Sequence, residues 1–280
     1  AASEFHYDTL HRKLKDGIPC PDDFSFPSHV LSKWARIQPS QPALHWVAHD
    51  FASERIVSYQ ELDDLTHRAA KAFCDAGLKK VIGELPTLFV ISVPRKRRRT
   101  EAMTGMRTVL TLLCLQVLIQ LPRIVEWWPA LYGLMRMGAI PCPGTSLLVS
   151  KGKSTPLPNF APGQADGRQA SRNTDLKFRA EASKAKAFIG DVESCARFEE
   201  VAAETGISLI FQARTPGDGG LGRGRVDFQA AIEKIPSGTK CEAPEGHKKT
   251  DLALIFFTSG TTGAPKMVLL EVCSLIFCVV

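Results

Sequence analysis

The chain has 280 residues, of which 44% are hydrophobic and 23% charged, and its formal net charge is +6. This composition is ordinary for a globular protein and argues against a fibrous or wholly disordered chain. Residues 79–116 carry eight basic and two acidic side chains, so this segment alone accounts for the net charge. The basic excess therefore does not describe the whole surface, and we expect no nucleic-acid partner.

The eight cysteines include no C-x-x-C pair and no zinc-ligand spacing. This pattern favours reduced thiols in an intracellular protein and predicts no metal site. Residues 1–25 lack a basic region followed by an apolar one, so no secretory signal is predicted. The longest uncharged apolar run spans residues 108–122, whereas a membrane-spanning helix needs about 20 residues, so we expect no transmembrane segment.

In chain order, the first predicted elements are a helix over 28–37, a hairpin around 44–57 and a second helix. Ser58 and Glu61 have the spacing of a capping box, which predicts that the second helix starts after Ser58. Apolar residues then recur at helical spacing until Gly77, a residue typical of a helix C-terminus.

Short apolar strands alternate with helices along the rest of the chain. The strands are predicted at 117–121, 139–142, 187–189, 207–211 and 252–257, and the helices at 125–137 and 194–204. This alternation predicts an α/β fold with parallel strands. Trp127 and Trp128 are expected to pack against the core from the first of these helices.

Three segments break this pattern. Residues 79–116 are basic and have poor periodicity, 151–174 are rich in Pro, Gly and polar residues, and 217–224 are rich in glycine. Residues 151–174 include few apolar side chains, so burying them cannot offset the conformational entropy that the segment would lose on ordering. We therefore expect a flexible loop there.

The apolar strand 252–257 runs directly into a loop of small, hydroxyl-bearing residues, Thr258-Ser259-Gly260-Thr261-Thr262-Gly263-Ala264-Pro265-Lys266. Its glycines allow backbone N–H groups to approach a ligand closely, and its four hydroxyls are donors suited to phosphate oxygens. Lys266 adds a compact positive charge, and Pro265 stiffens the turn before it. We call Thr258–Lys266 the phosphate loop and predict that it holds a polyphosphate.

Two other interpretations of the phosphate loop are less favourable. A Walker A loop needs Gly before its lysine and a hydroxyl after it, whereas this chain has Pro265 and Met267. The residues after Lys266 also resemble a strand, not the helix that follows a Walker A loop. The remaining alternative is a Ser/Thr/Gly surface turn, but nine such residues ending in Pro-Lys after an apolar strand are unusual.

The phosphate loop matches the T-S-G-[ST]-T-G-x-P-K signature of the adenylate-forming superfamily, which includes acyl-CoA synthetases, luciferases and peptide-synthetase adenylation domains. Residues 117–148 resemble medium-chain acyl-CoA synthetases, notably in the motifs Leu121-Pro122-Arg123, Glu126-Trp127-Trp128 and Pro143-Gly144-Thr145. Residues 24–78 and 176–257 extend the resemblance to most of the chain.

The resemblance implies an α/β fold in which residues 1–280 form an incomplete N-terminal domain of the acyl-CoA synthetase type, a partial AMP-binding domain with inserted irregular segments. Residues 79–116 and 151–174 are interpreted as non-homologous insertions, and 269–280 as a divergent tail. We hypothesise that these three segments are translated non-coding sequence or arise from a faulty gene structure.

The resemblance also implies a two-step ligase reaction with ATP, Mg and coenzyme A. A medium-chain fatty acid attacks the α-phosphate of ATP to give an acyl-adenylate and pyrophosphate, and coenzyme A then displaces AMP. The phosphate loop would hold the departing phosphates and stabilise their charge. The branch suggests the mitochondrial matrix, with the cytoplasm as the alternative.

No catalytic residue is assigned, because the later motifs of the family, which supply the adenine and acyl pockets, have no counterpart in this sequence. We therefore expect the isolated chain to be inactive. The alternatives are a catalytically dead nucleotide-binding or interaction remnant and another adenylate-forming ligase.

Overall fold

The structure, a computed structural model, describes residues 20–48, 51–78, 115–145, 176–215, 219–241, 247–258, 265–273 and residue 275. Three predictions fall largely outside these residues: the insertion at 79–116 except for its last two residues, the insertion at 151–174, and the centre of the phosphate loop at 259–264. Of the predicted tail, residues 269–273 and 275 are described.

Six α-helices follow a short π-helical turn at Pro27–Leu31 in the described part of the chain. In chain order they are α1 (Ser32–Ile37), α2 (Tyr59–Asp75), α3 (Trp127–Arg136), α4 (Leu176–Ser183), α5 (Val192–Thr205) and α6 (Phe228–Glu233). None of these helices is both long and apolar enough to cross a membrane.

Within the described ranges, the strands form one five-stranded sheet and two separate pairs. They are β1 (Pro42–Val47), β2 (Glu54–Ser58), β3 (Gln116–Gln120), β4 (Ile140–Pro143), β5 (Ala187–Gly190), β6 (Leu209–Gln212), β7 (Val226–Asp227), β8 (Leu252–Thr258) and β9 (Lys266–Glu271). The larger sheet has the order β4-β3-β5-β6-β7, and all its strands are parallel. The pairs β1–β2 and β8–β9 are antiparallel.

Helices cover both faces of the parallel sheet, so its central strands are buried on both sides. Along β3, Val117 and Ile119 face a core shared with α2, α3 and α6, whereas Leu118 faces a core shared with α4 and α5. All five residues of β3 are buried, including the glutamines at its two ends, as expected for a parallel strand covered on both faces. Burying one large apolar side chain stabilises such a core by about 1.5–3 kcal/mol.

The helices α2 and α3 lie unusually close together in the first core. A Cβ atom added at Gly133 of α3 would lie 2.8 Å from the Cβ of Ala69 and 3.1 Å from the backbone nitrogen of Ala70. Only glycine at position 133 permits this separation of the two backbones. On the sheet side of α2, Phe73 meets Phe211 edge-on, with ring centroids 5.1 Å apart.

The start of α2 confirms the predicted cap. The hydroxyl of Ser58 accepts a hydrogen bond from the backbone N–H of Glu61 at 3.1 Å, and Ser58 has the extended backbone of an N-cap residue. The carboxylate of Glu61 also accepts a hydrogen bond from Arg55 at 3.0 Å. This contact ties the start of α2 to the preceding hairpin.

The structure corrects the predicted position of strand 252–257. The sequence pattern grouped this strand with the parallel sheet, but β8 pairs antiparallel with β9 and is not hydrogen-bonded to the five-stranded sheet. The connection between β8 and β9 is short, and short connections join antiparallel neighbours. Apolar composition predicts a strand correctly, but it does not determine which strand becomes the partner.

Two helices, α4 and α6, were not predicted. The buried face of α4 consists of Leu176, Arg179, Ala180 and Ser183. Because two of these four residues are polar, the sequence shows no apolar periodicity that would predict a helix there. The helix α6 has only six residues, which is too few for a periodic pattern. Its signal is the N-cap, because Asp227 accepts a hydrogen bond from the N–H of Ala230 at 2.9 Å.

Candidate phosphate-binding site

The antiparallel pair β8–β9, which we call the loop ribbon, brings the two ends of the phosphate loop together. Thr258 and Lys266 are opposite each other in the strand register. The Thr258 hydroxyl donates to the carbonyl of Lys266 at 3.4 Å. Residues 259–264 lie outside the described residues, so Thr258, Pro265 and Lys266 are the predicted site residues that the structure places.

The described ends of the phosphate loop differ in exposure. Thr258 and Lys266 are exposed, whereas Pro265 is buried. Lys266 forms no ion pair with any residue in the described part of the chain, and its strongly hydrated ammonium can interact with an added anion. An exposed cation at the foot of a donor-rich loop fits a polyphosphate.

The other end of the loop ribbon is fixed by backbone hydrogen bonds. The N–H of Val272 donates to the carbonyl of Asp251 at 2.8 Å, and the N–H of Cys273 donates to the carbonyl of Lys249 at 2.9 Å. Between the two ends, Ile255 is buried in the core that contains α4 and α5. The loop ribbon is therefore anchored at its base and middle, and its other end carries the phosphate loop.

Two residues of α4 contact the residue that precedes the phosphate loop. Phe178 meets Phe257 edge-on with ring centroids 6.3 Å apart, and the guanidinium carbon of Arg179 lies 4.8 Å from the Phe257 ring centroid. Arg179 is 7% exposed, and burial lowers its pKa. Sequence reasoning missed Arg179 because α4 itself was not predicted, and only the three-dimensional contact relates it to the loop.

The described residues show no cluster for a protein-bound metal. No group of three or more His, Cys, Asp or Glu side chains in these ranges could hold an ion. A magnesium ion that accompanies ATP is commonly held by phosphate oxygens and water, with only one or two protein carboxylates.

The tryptophans of the Glu126-Trp127-Trp128 motif pack as predicted. Trp127 lies against the core of α2, α3 and α6, and Trp128 lies against the small core beneath the β1–β2 hairpin. The two rings meet edge-on with centroids 4.8 Å apart. This motif therefore joins two cores.

The comparisons with known proteins point to one family. Residues 115–280 match the family described as AMP-binding enzyme. The chain is 28% identical over 274 residues to the mitochondrial acyl-coenzyme A synthetase ACSM1 of Mus musculus, covering 92% of this chain and 36% of that protein. It is 26% identical over 258 residues to mitochondrial ACSM5 of Homo sapiens, covering 89% of this chain and 33% of that protein. The chain thus spans about a third of the length of these curated relatives.

Solved structures show the same fold. The chain resembles the crystal structure of a Brucella canis acyl-CoA synthetase with a TM-score of 0.63 at 20% identity, over 97% of this chain and 39% of that chain. It resembles an anthranilate CoA ligase, AuaEII, crystallised with anthranoyl-AMP, with a TM-score of 0.59 at 16% identity, over 92% of this chain and 36% of that chain. The predicted α/β fold of the acyl-CoA synthetase type is confirmed.

Proposed function

The chain belongs to the AMP-binding enzyme family, and we propose that it contributes the ATP-phosphate-binding part of an acyl-CoA synthetase. The observation that carries this proposal is the loop ribbon, which joins Thr258 to Lys266 and leaves the Lys266 side chain exposed. The family match supports it, because the match covers the loop ribbon and the parallel sheet.

In the proposed reaction, a carboxylate attacks the α-phosphate of Mg-ATP, and pyrophosphate leaves. Lys266 and the donors of Thr258–Lys266 hold the β- and γ-phosphates, whose negative charge rises as the bond to the α-phosphate breaks. Donors held around that position would stabilise the developing charge. The thiol of coenzyme A then attacks the acyl carbonyl and releases AMP.

The substrate proposed for the whole protein is a medium-chain fatty acid. Support comes from residues 117–148, which resemble the medium-chain branch, and from the acyl-coenzyme A synthetases among the curated relatives. These relatives are named as mitochondrial, and we propose the mitochondrial matrix for this protein as well. We place the acyl pocket in the part of the relatives that this chain does not span, and we therefore propose that the isolated chain has negligible ligase activity.

The proposal is tested in a chimera that places residues 1–268 before the corresponding remainder of the Mus musculus ACSM1 sequence. Carboxylate-dependent exchange between ATP and pyrophosphate is the measurement, with medium-chain fatty acids and aromatic acids as alternative substrates. Lys266→Met should lower exchange by about 100-fold, the loss typical of removing one charge-stabilising donor. The matched control is Lys248→Met, because Lys248 is also exposed but lies near the base of the loop ribbon.

Three outcomes would contradict the proposal. Equal rates of exchange in the Lys266→Met and Lys248→Met chimeras would show that Lys266 of the phosphate loop does not take part in the reaction. Exchange with aromatic acids alone would support another adenylate-forming ligase, and a folded chimera without exchange would support a catalytically dead remnant.

A further inference from the structure

Two cysteines that the proposed reaction does not use face each other near the end of α2. Cys74 lies on the last turn of α2, and Cys241 follows α6 in the chain. Both are free thiols that pack, partly buried, against the core of α2, α3 and α6. Their side chains are hydrogen-bonded to each other.

The backbone of Cys241 is held in place by α2. The N–H of Cys241 donates to Nδ1 of His67 at 3.0 Å, and His67 is 1% exposed. His67, Lys71 and Cys74 are spaced four and three residues apart, so they lie on one face of α2. The segment at Cys241 runs along this face, and a buried imidazole fixes its backbone.

The surroundings favour ionisation of the Cys74 thiol. The hydrogen bond from Cys241 is the main cause that lowers the pKa of Cys74 to about 7, and the Lys71 ammonium lowers it further. Burial and the Asp75 carboxylate raise this pKa, and each of them has a larger effect than Lys71. At neutral pH, a thiol with this pKa is about half ionised, against a few per cent for an ordinary cysteine. Because a less basic thiolate is also a weaker nucleophile, the net rate advantage is about threefold.

The other described thiols have different surroundings. Burial raises the pKa of Cys142 and of Cys195 to about 12, so these two thiols are unreactive. Cys20 and Cys273 also lie near each other and near Lys249, but the pKa of Cys20 is raised, mainly by desolvation. This second pair provides an internal comparison for the first.

We propose that Cys74 and Cys241 are a reactive dithiol that a small-molecule disulfide oxidises to an intramolecular disulfide. The Cys74 thiolate attacks one sulfur of the small disulfide, whose S–S bond breaks and releases one thiolate. The Cys241 thiol then loses its proton, and its sulfur attacks the Cys74 sulfur and releases the second thiolate. The two protons lost by the protein end on the two released thiols, so two cysteines are oxidised and one small disulfide is reduced.

The new bond would join the end of α2 to the chain that leads towards the loop ribbon. The two thiols interact directly, and the disulfide would bring their sulfurs to about 2.05 Å. The second step is intramolecular and therefore fast, so the mixed disulfide on Cys74 should not accumulate. The chemistry is independent of ATP and of the proposed ligase reaction.

The test is incubation of the 280-residue chain with glutathione disulfide, followed by thiol blocking, digestion without reduction and mass mapping. We expect the peptides that carry Cys74 and Cys241 to be the first to become cross-linked, with loss of two hydrogen atoms. In Cys241→Ser, a glutathione adduct should accumulate on Cys74, because the resolving thiol is gone. Cys273→Ser is the matched control and should behave as the unaltered chain does.

The proposal is wrong if Cys74 in the unaltered chain does not react, retains a stable glutathione adduct, or pairs with another cysteine. It is also wrong if a Cys20–Cys273 disulfide forms at the same rate or faster. Because all these products are mapped in the unaltered chain, the result does not depend on the folding of either variant.

Discussion

Arg136 is fully buried, and its guanidinium joins three helices. It donates to the carboxylate of Asp63 on α2, to the Ser32 hydroxyl on α1 at 2.9 Å, and to the Thr66 hydroxyl on α2 at 2.8 Å. Removing one partner from such a buried pair costs about 3–5 kcal/mol, because the other charge stays buried without its partner. Asp63 and Arg136 are 73 residues apart, so no local pattern in the sequence predicts their contact.

The same network makes stability depend on pH through His67. Burial is the main cause that lowers the pKa of His67, and the Arg136 charge lowers it further. Between the folded pKa and the ordinary value of about 6.5, the unfolded chain binds more protons than the folded chain. The contribution of neutral His67 is therefore complete above about pH 6.5 and is lost as the pH falls.

This dependence is measured as the free energy of unfolding in urea at about pH 7.5 and 5.5. The unaltered chain should lose stability at the lower pH, and His67→Gln should lose less because that side chain does not titrate. His45→Gln is the control, since the side chain of His45 is 51% exposed. If His67→Gln and the unaltered chain lose the same free energy, His67 is not the titrating group.

At the scale of helices and strands, prediction succeeded where a signal is local. The cap at Ser58 and the apolar run of β3 are each encoded by neighbouring residues, and both are confirmed. The helix α4 was missed because Arg179 and Ser183 occupy its buried face. The antiparallel pairing of β8 with β9 was not predicted, because apolar composition indicates a strand but not its partner.

The contact between α2 and α3 gives a prediction at this scale. In Gly133→Ala, the new Cβ would lie 2.8 Å from that of Ala69, so the two helices must move apart. Such overpacking costs about 1–3 kcal/mol, whereas the higher helix propensity of alanine offsets about 1 kcal/mol. We expect a net loss of up to about 2 kcal/mol in the free energy of unfolding.

Gly219→Ala is the matched control for this substitution. No atom lies within 4 Å of a Cβ added at Gly219, so the exchange should leave stability nearly unchanged. A Gly133→Ala variant as stable as Gly219→Ala would show that α2 and α3 do not pack closely in solution.

For the whole molecule, the alternation of strands and helices was enough to predict a parallel α/β sheet, and the structure and its solved relatives confirm it. The phosphate-binding role of Thr258–Lys266 stays a prediction, which rests on consecutive hydroxyls, glycines and a lysine in the sequence. The contacts that the rest of the fold makes with the two ends of the loop could not be predicted. The contact of Arg179 with Phe257 and the pairing of Thr258 with Lys266 depend on three-dimensional packing.

The most direct test of the account is whether Thr258–Lys266 holds the phosphates of ATP. The measurement is binding of Mg-ATP to the 280-residue chain, with tripolyphosphate and adenosine as competitors. We expect weak binding that tripolyphosphate abolishes and adenosine does not, because the contacts proposed for this loop are to phosphates. Lys266→Met should weaken binding about tenfold through loss of one charge-assisted contact, and Lys248→Met should not. Competition by adenosine, or equal binding by the two variants, would contradict the account.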